Sequence, residues 1–228
     1  MGSTETTCWT LIHAAGDGEE QQRDEFARRY DPAIRGYLAA RWRNSLLLND
    51  IDDAVQEIFV ECFRQGGALE RADHQRAGGF RAFLYGIVRN VALRFEQRRA
   101  KEWARQPASE AHLSQIKADE TNLSRVFDRA WARSILQEAA QQQAENAKKS
   151  GPVAERRVEL LRMRFHEGLP IREIAQQWQV DAVDLHREYA KARKEFKQAL
   201  HQVVTFHQPN QSAADIEREC AELLTSLG

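Results

Sequence analysis

The chain has 228 residues, enough for two modest domains, and its 33 lysines and arginines nearly balance 34 aspartates and glutamates, for a net charge of -1. This balance argues against a protein that grips DNA unaided. Three widely spaced cysteines argue against a disulfide framework or a zinc site, and the lack of a long apolar run predicts a cytoplasmic protein without membrane insertion.

Helical periodicity runs through the chain and predicts an all-α fold of two helical domains joined by a flexible linker. The first domain, residues 1–102, begins with a short helix at 10–15 and a longer one at 21–43. Pro32 either bends or splits the longer helix. The inward line of that helix is predicted to be Phe26, Tyr30, Ile34 and Leu38.

The next predicted helix, residues 50–63, has two faces of opposite character. Its apolar stripe consists of Ile51, Val55, Ile58 and Cys62. Its other side carries the carboxylates of Asp50, Asp53, Glu57 and Glu61. The carboxylate side either faces a basic protein partner or is an ordinary solvated helix face.

A basic and aromatic helix is predicted at residues 80–99. Its buried line is Phe80, Leu84, Ile87, Val91 and Phe95. The residues off that line are Phe83, Tyr85, Arg89, Asn90 and Arg94. Exposed aromatic rings beside arginines suit unstacked bases and phosphates. The alternative is that the two aromatics belong to the core.

Polar residues around Pro107 mark a linker at residues 103–124, followed by a second domain at 125–204. Within it, helices at 170–178 and 182–203 are separated by a short turn and predict a helix-turn-helix. The remaining residues, 205–228, predict an amphipathic tail helix. The apolar stripe of that tail is Ile216, Cys220, Leu223 and Leu227.

Two motifs in the first domain carry a family resemblance. The pattern D-x-x-D-x-x-Q-E-x-F is matched by Asp50, Asp53, Gln56, Glu57 and Phe59. A second pattern, rich in arginine, is matched by Phe80, Arg81, Phe83, Leu84, Ile87, Arg89, Asn90, Arg98 and Arg99. In this order, and followed by a helix-turn-helix, they make the chain similar to the extracytoplasmic-function (group 4) sigma factors of bacterial RNA polymerase, in the sigma-70 family.

The resemblance implies two partners, core RNA polymerase and promoter DNA, and allows for an anti-sigma factor as a third. Core polymerase would bind through Asp50, Asp53, Gln56, Glu57 and Phe59. A carboxylate stripe with a neighbouring glutamine is also what an arginine-rich helical hairpin would pair with.

The resemblance further implies that the basic helix and the loop before it contact the minus-ten promoter element, where the strands separate. Aromatic and cationic surfaces can recover part of the unstacking energy by holding flipped bases. The residues expected to contact this element are Arg71, His74, Arg76, Arg81, Phe83, Tyr85, Arg89, Asn90, Arg94 and Arg98.

The helix-turn-helix is expected to contact the minus-thirty-five element. The residues expected to do so are Arg172, His186, Arg187, Lys191 and Lys194. Asp181, Asp184 and Glu188 stand among them and would repel phosphates, and Gln179 occupies a turn position that usually holds glycine. A packing domain without DNA contact is the alternative.

Two other functions compete with this interpretation. An autonomous helix-turn-helix regulator should have a basic surface, and a helical enzyme should have a clustered acid-base or metal set. The neutral net charge and the acidic helix argue against the regulator, and the lack of a clustered acid-base or metal set argues against the enzyme, so no catalytic residue, metal ligand or cofactor is predicted. The isolated histidines His166, His201 and His207 are expected at the surface. The tail either regulates access to the domains or completes the second domain's core.

Overall fold

The structure, a computed structural model, describes residues 8–73, 79–103, 105 and 120–225. Across these residues the chain is helical and forms no strand, so the predicted all-α fold class is confirmed. The chain divides into two compact units. The first comprises Met1–Ser134 with His207–Pro209, and the second comprises Ile135–Phe206 with Asn210–Gly228.

Four helices and the beginning of a fifth build the first unit. They are α1 (Cys8–Gly16), α2 (Glu20–Arg41), α3 (Ile51–Phe63), α4 (Gly79–Trp103) and the N-terminal part of α5 (Glu120–Ser150). Short 3-10 turns at Leu46–Asp50 and Leu69–Arg71 precede and follow α3. Helix α2 packs against α1 and α3, and α3 packs against α4, so the two helices singled out in the sequence are neighbours.

Helix α2 runs without interruption through Pro32. The structure therefore excludes the predicted alternative in which Pro32 splits the helix in two. Pro32 lies on the exposed side of α2, where water can bond the carbonyl oxygen that has lost its intrahelical partner. The predicted inward residues Phe26, Tyr30, Ile34 and Leu38 are all buried.

Aromatic rings make up much of the first unit's core. The Phe26 ring lies 4.6 Å from Tyr30 and 5.9 Å from Phe80, measured between centroids. The Tyr30 ring stacks on Trp131 at 5.6 Å. Tilted and edge-on pairs of this kind add to the free energy gained by burying their area. The five residues expected to form the buried line of α4 are likewise buried.

His207 is buried in the first unit, so the predicted surface location is wrong for this histidine, whereas His166 and His201 are exposed. Its Nδ1 lies 3.3 Å from the Tyr30 hydroxyl, and the Cys8 thiol donates to its carbonyl oxygen at 3.3 Å. Burial, with a smaller contribution from Arg29, lowers the pKa of His207 to about 3. The ring is neutral and behaves as an aromatic core residue.

A second buried group, Glu96, holds α4 to the end of α2. Its carboxylate accepts hydrogen bonds from the Arg41 Nε at 2.5 Å and from the indole nitrogen of Trp42 at 2.7 Å. Burial alone would lower the pKa of Arg41, but the bonds to Glu96 and Tyr37 outweigh it and raise that pKa. The Glu96 carboxylate therefore joins α4 to Arg41 and Trp42 at the end of α2.

The boundary between the units differs from the predicted linker and domain limits. Within residues 103–124, residues 104 and 106–119 lie outside the described part of the chain, and α5 already begins at Glu120. The first unit continues to Ser134. Phe127 and Trp131 account for this, because their rings pack with Tyr37 and Tyr30.

The second unit contains the rest of α5 and four further helices. They are α6 (Pro152–Phe165), α7 (Ile171–Trp178), α8 (Ala182–His207, up to Phe206) and α9 (Ala213–Thr225). One core cluster of this unit consists of Leu160, Met163, Ile171, Ile174, Ala175 and Leu185. The small side chain of Ala175 lets these helices approach closely.

The turn between α7 and α8 is short. Gln179 ends α7 in the left-handed conformation with φ 53°, which explains why glycine is common at such a position. Asp181 caps α8, since its Oδ1 accepts hydrogen bonds from the backbone of Val183 at 2.8 Å and of Asp184 at 3.1 Å.

The tail forms α9 within the second unit. Ile216, Cys220 and Leu223 are buried there, while Leu227 lies outside the described residues. The Lys197 side chain of α8 bonds Glu217 of α9. The described part of the tail's apolar stripe is therefore buried.

Candidate functional site

The residues of helix α3 divide between a buried side and an accessible side, as its helical periodicity predicts. Ala54, Val55, Ile58 and Cys62 are buried. Asp50 occupies the N-cap position, and Asp53 lies in the first turn, where a carboxylate is favourable beside the partial positive charge of the helix N-terminus. The acids that follow continue along the accessible side, so α3 presents a carboxylate row at the surface of the first unit.

The carboxylate row of α3 is paired with arginines of α4. Arg94 Nη2 bonds Glu61 Oε2 at 3.0 Å, and Arg98 Nη2 bonds Glu57 Oε2 at 2.7 Å.

Arg99 continues this row of pairs toward the start of α3. Its Nη2 lies 3.1 Å from Asp50 Oδ1 and 3.8 Å from Asp53 Oδ2. We call these contacts the α3–α4 ion-pair ladder. Its Arg98–Glu57 pair joins a residue expected to bind DNA to one expected to bind polymerase.

Ion pairing stabilises the charged forms of Glu61 and Arg98. Burial would raise the pKa of Glu61, but hydrogen bonds from Arg94 and Arg64 hold that pKa below its usual value. The bond to Glu57 raises the pKa of Arg98. Both partners of the Arg98–Glu57 pair are partly exposed to solvent. Pairs of this kind contribute little to stability, and a competing partner can exchange them.

Gln56 and Val60 form a ridge of α3 between a groove toward α2 and a groove toward α4. Gln56 is exposed, and the Val60 side chain is 58% exposed although it is apolar. On the α2 side the groove encloses about 540 Å³ and is lined by Phe59 and Phe63, whose rings stack at 5.9 Å. Val60 therefore adds accessible apolar area to a surface that is otherwise charged and polar.

Sequence analysis missed Val60. It was detectable as an apolar residue four positions after Gln56, on the polar side of the helix.

A different groove brings together four residues expected at the minus-ten element. We call it the α4 groove; it encloses about 500 Å³ between α4 and the end of α3 with the 3-10 turn after it. The four expected residues that line it are Arg71, Phe83, Asn90 and Arg94. Gly86 and Gln97, which sequence analysis did not select, lie on the same wall.

Other residues expected at the minus-ten element lie elsewhere. The Tyr85 ring packs at 5.2 Å from Phe127 and 5.8 Å from Tyr37, and so belongs to an aromatic cluster. Arg81 is 3.6 Å from Asp128.

Arg98 belongs to the ion-pair ladder, and neither it nor the half-buried Arg89 lines the α4 groove. His74 and Arg76 lie outside the described residues. The α4 groove thus assembles four of the ten expected residues.

In the second unit, two of the cations expected at the minus-thirty-five element are already paired. Arg187 bonds Asp184 at 2.9 Å, and Lys191 bonds Glu188 at 2.7 Å. The other three, Arg172, His186 and Lys194, are exposed. The first turns of α8 therefore present alternating charges rather than a continuous basic face.

Comparison with known families bears on the first unit. Residues 26–103 match the family model described as Sigma-70 region 2. This segment is therefore similar to sigma-70 region 2 domains. It begins in α2 and ends with α4, so both the ion-pair ladder and the α4 groove belong to it.

The sigma-70 region 2 domain covers about a third of the chain. It supports a sigma factor of the sigma-70 family, a role in transcription initiation, and core RNA polymerase and promoter DNA as partners. No curated protein matches the chain. Within the described ranges, no helix is both long enough and apolar enough to cross a membrane.

Proposed function

We propose that this protein is an extracytoplasmic-function sigma factor that works in the cytoplasm, directs core RNA polymerase to a restricted set of promoters and helps to melt them. The observation that carries the proposal is the sigma-70 region 2 domain with two separate surfaces, a carboxylate row and an aromatic, basic groove. Such a factor acts by binding, so the proposal assigns it no catalytic residue or cofactor. An anti-sigma factor would be a further partner.

The polymerase contact is proposed at the ridge of α3. Asp53 and Gln56 are exposed there, and Glu57 and Phe59 are half-buried beside them. Carboxylates at the rim give electrostatic complementarity to a basic partner, while apolar side chains such as Val60 supply desolvated contact area. Asp50, at the start of α3, would extend the acidic edge.

The minus-ten contact is proposed at the α4 groove. The Phe83 ring offers a stacking partner, Asn90 offers both hydrogen-bond donors and acceptors, and Arg71 and Arg94 offer charge to phosphates. Recognition of separated strands fits this mixture better than recognition of duplex DNA, whose bases are stacked away from such a groove.

The minus-thirty-five contact through α7 and α8 is proposed as a weaker part of the function. Asp181 is used as a helix cap, and Asp184 and Glu188 hold Arg187 and Lys191, so DNA would have to displace those pairs. The same pairing argues against an autonomous helix-turn-helix regulator, which needs an available basic surface of its own.

The polymerase contact is tested by the double variant Asp53→Lys, Glu57→Lys. It should lose co-purification with core RNA polymerase, because reversed charges repel a basic partner. The double variant Asp17→Lys, Asp24→Lys changes the charge equally at exposed positions away from α3 and should still bind. Equal retention of core polymerase by both variants would refute the docking surface.

The melting role is tested by Phe83→Ala and Asn90→Ala, which both alter the lining of the α4 groove. Both variants should still bind core polymerase but should form fewer open complexes, as measured by permanganate reactivity of promoter thymines. Thymine reactivity at the wild-type level in both variants would contradict the minus-ten assignment.

A further inference from the structure

Gly86 stands inside α4, a position where the backbone does not need glycine. Among the described residues with left-handed φ values, the glycines are Gly18, Gly66, Gly79, Gly151 and Gly168, and Gly86 is not one of them. Glycine in a helix interior is less favourable than alanine, because it loses more backbone freedom on folding. Glycine at position 86 therefore makes the folded state less stable than alanine would.

Packing does not account for this glycine either. A Cβ atom built on Gly86 would have no neighbour within 4 Å. Two other glycines of the first unit differ: a Cβ on Gly36 would lie 3.0 Å from that of Ala130, and one on Gly67 would lie 2.4 Å from the carbonyl oxygen of Arg64. At those two positions the protein fills the space itself, whereas at Gly86 the space is open.

The open space belongs to the α4 groove. Gly86 lies between Phe83 and Asn90 along α4, and all three line the groove. Because residues three and four apart share a helix face, the bare backbone at Gly86 lies between an aromatic ring and an amide. Arg94, one turn further, is held at the same groove by Glu61.

We propose that Gly86 forms the floor of a site for one unstacked base of single-stranded DNA. The base lies over the helix backbone with its face toward Phe83 and its edge toward Asn90, and Arg94 holds the adjoining phosphate. A side chain at position 86 would occupy the space of the base. This inference rests on the proposed minus-ten function and adds a residue that selects for a flat ligand by its lack of a side chain.

The proposal predicts opposite effects of Gly86→Ala on stability and on binding. Alanine should raise the Tm of the full chain by about 2–4 °C, since it favours the helix and meets no neighbour. The same variant should weaken the binding of a fluorescent single-stranded oligonucleotide of about 15 nucleotides by about fivefold, and Gly86→Leu should weaken it further. A glycine with a purely structural role would not produce a more stable chain that binds less tightly.

Two controls isolate the base. Asn44→Leu adds an apolar side chain at an exposed position of the first unit outside the groove, and it should leave oligonucleotide binding unchanged. An oligonucleotide of equal length made of abasic nucleotides keeps the phosphates but has no bases. The wild type and Gly86→Leu should bind it equally.

Fluorescence anisotropy at low salt, with the full chain, separates the possible outcomes. If Asn90→Ala and Arg94→Gln weaken binding while the Gly86 variants do not, this inference fails and the proposed minus-ten surface stands. If neither set of variants changes binding, or if the wild type binds no oligonucleotide, both fail. Equal loss of binding to the abasic probe in Gly86→Leu would also overturn the base site.

Discussion

Arg98 donates from Nη2 to the Glu57 carboxylate at 2.7 Å, so a side chain expected to contact DNA holds one expected to contact polymerase. Arg94 bonds Glu61 in the same way one turn away, although Glu61 is not among the residues expected to contact polymerase. In this arrangement each arginine satisfies a carboxylate of its own domain. Contact with a basic partner on α3 would compete for those carboxylates and release the arginines toward phosphates.

Glu57→Gln should strengthen binding of single-stranded DNA by the isolated chain about threefold, and the logarithm of affinity should fall more steeply with salt by about 0.7 per released cation. The reason is that Arg98 becomes available to a phosphate. Anisotropy titrations over a range of salt concentrations measure both effects.

The matched control for this prediction is Asp52→Asn. Asp52 lies on the same helix, but its carboxylate pairs with Arg35 of α2 at 2.5 Å rather than with α4. Asp52→Asn changes the net charge by the same amount as Glu57→Gln but releases no arginine of the ladder. An equal gain in the two variants would mean that overall charge, and not the ladder, limits DNA binding.

Glu96→Gln should lower the free energy of unfolding by about 3 kcal/mol, because it leaves Arg41 buried without its ionic partner. Urea unfolding followed by circular dichroism measures the loss. Glu159→Gln removes a carboxylate that pairs with Arg162 on the exposed surface of α6. That variant should change stability by less than about 1 kcal/mol. Comparable losses in the two variants would mean that Glu96 is not a structural anchor.

His207 should make stability fall as the pH is lowered. Its pKa in the folded protein is about 3, below the ordinary value of about 6.5, so the unfolded chain takes up the proton first. The stabilisation is complete above about pH 6.5, and below it the free energy of unfolding should decrease by up to about 1.4 kcal/mol per pH unit. Arg29 and the hydroxyl of Tyr30 face the ring and offer it no counter-charge.

Urea unfolding at pH values between about 7 and 5 tests this prediction, because the ordinary titration of carboxylates lies lower. His207→Gln should flatten the pH dependence, whereas His201→Gln, at an exposed position of α8, should keep it. A wild-type slope in His207→Gln would mean that another group is responsible.

Leu223→Ala should lower the free energy of unfolding of the second unit by about 2–3 kcal/mol, as expected for a buried leucine. The exposed neighbour Glu222 provides the control, since Glu222→Ala should be nearly neutral. Deletion of residues 209–228 should act in the same direction. Higher transcription from the deletion variant without a loss of Tm would instead favour a regulatory tail.

The local features of this protein could be predicted from its sequence. The helical periods of α3 and α4 identified most of the buried residues, because that pattern depends only on 3.6 residues per turn and the exclusion of apolar side chains from water. They did not identify the buried Glu96, and Ile51 of the predicted stripe is only half-buried. The order and spacing of the two motifs indicated the family of the first domain, which the match over residues 26–103 supports.

Tertiary structure decided which side chains meet. Arg98 and Glu57 are 41 residues apart in the chain, and they pair only because α3 and α4 pack in one register. His207 resembled a surface histidine until its neighbours Tyr30 and Trp131 were placed around it. Gly86 looked like any helical glycine until the space above it was found open. Periodicity specifies the face on which a residue lies, whereas the packing of helices determines what that face contacts.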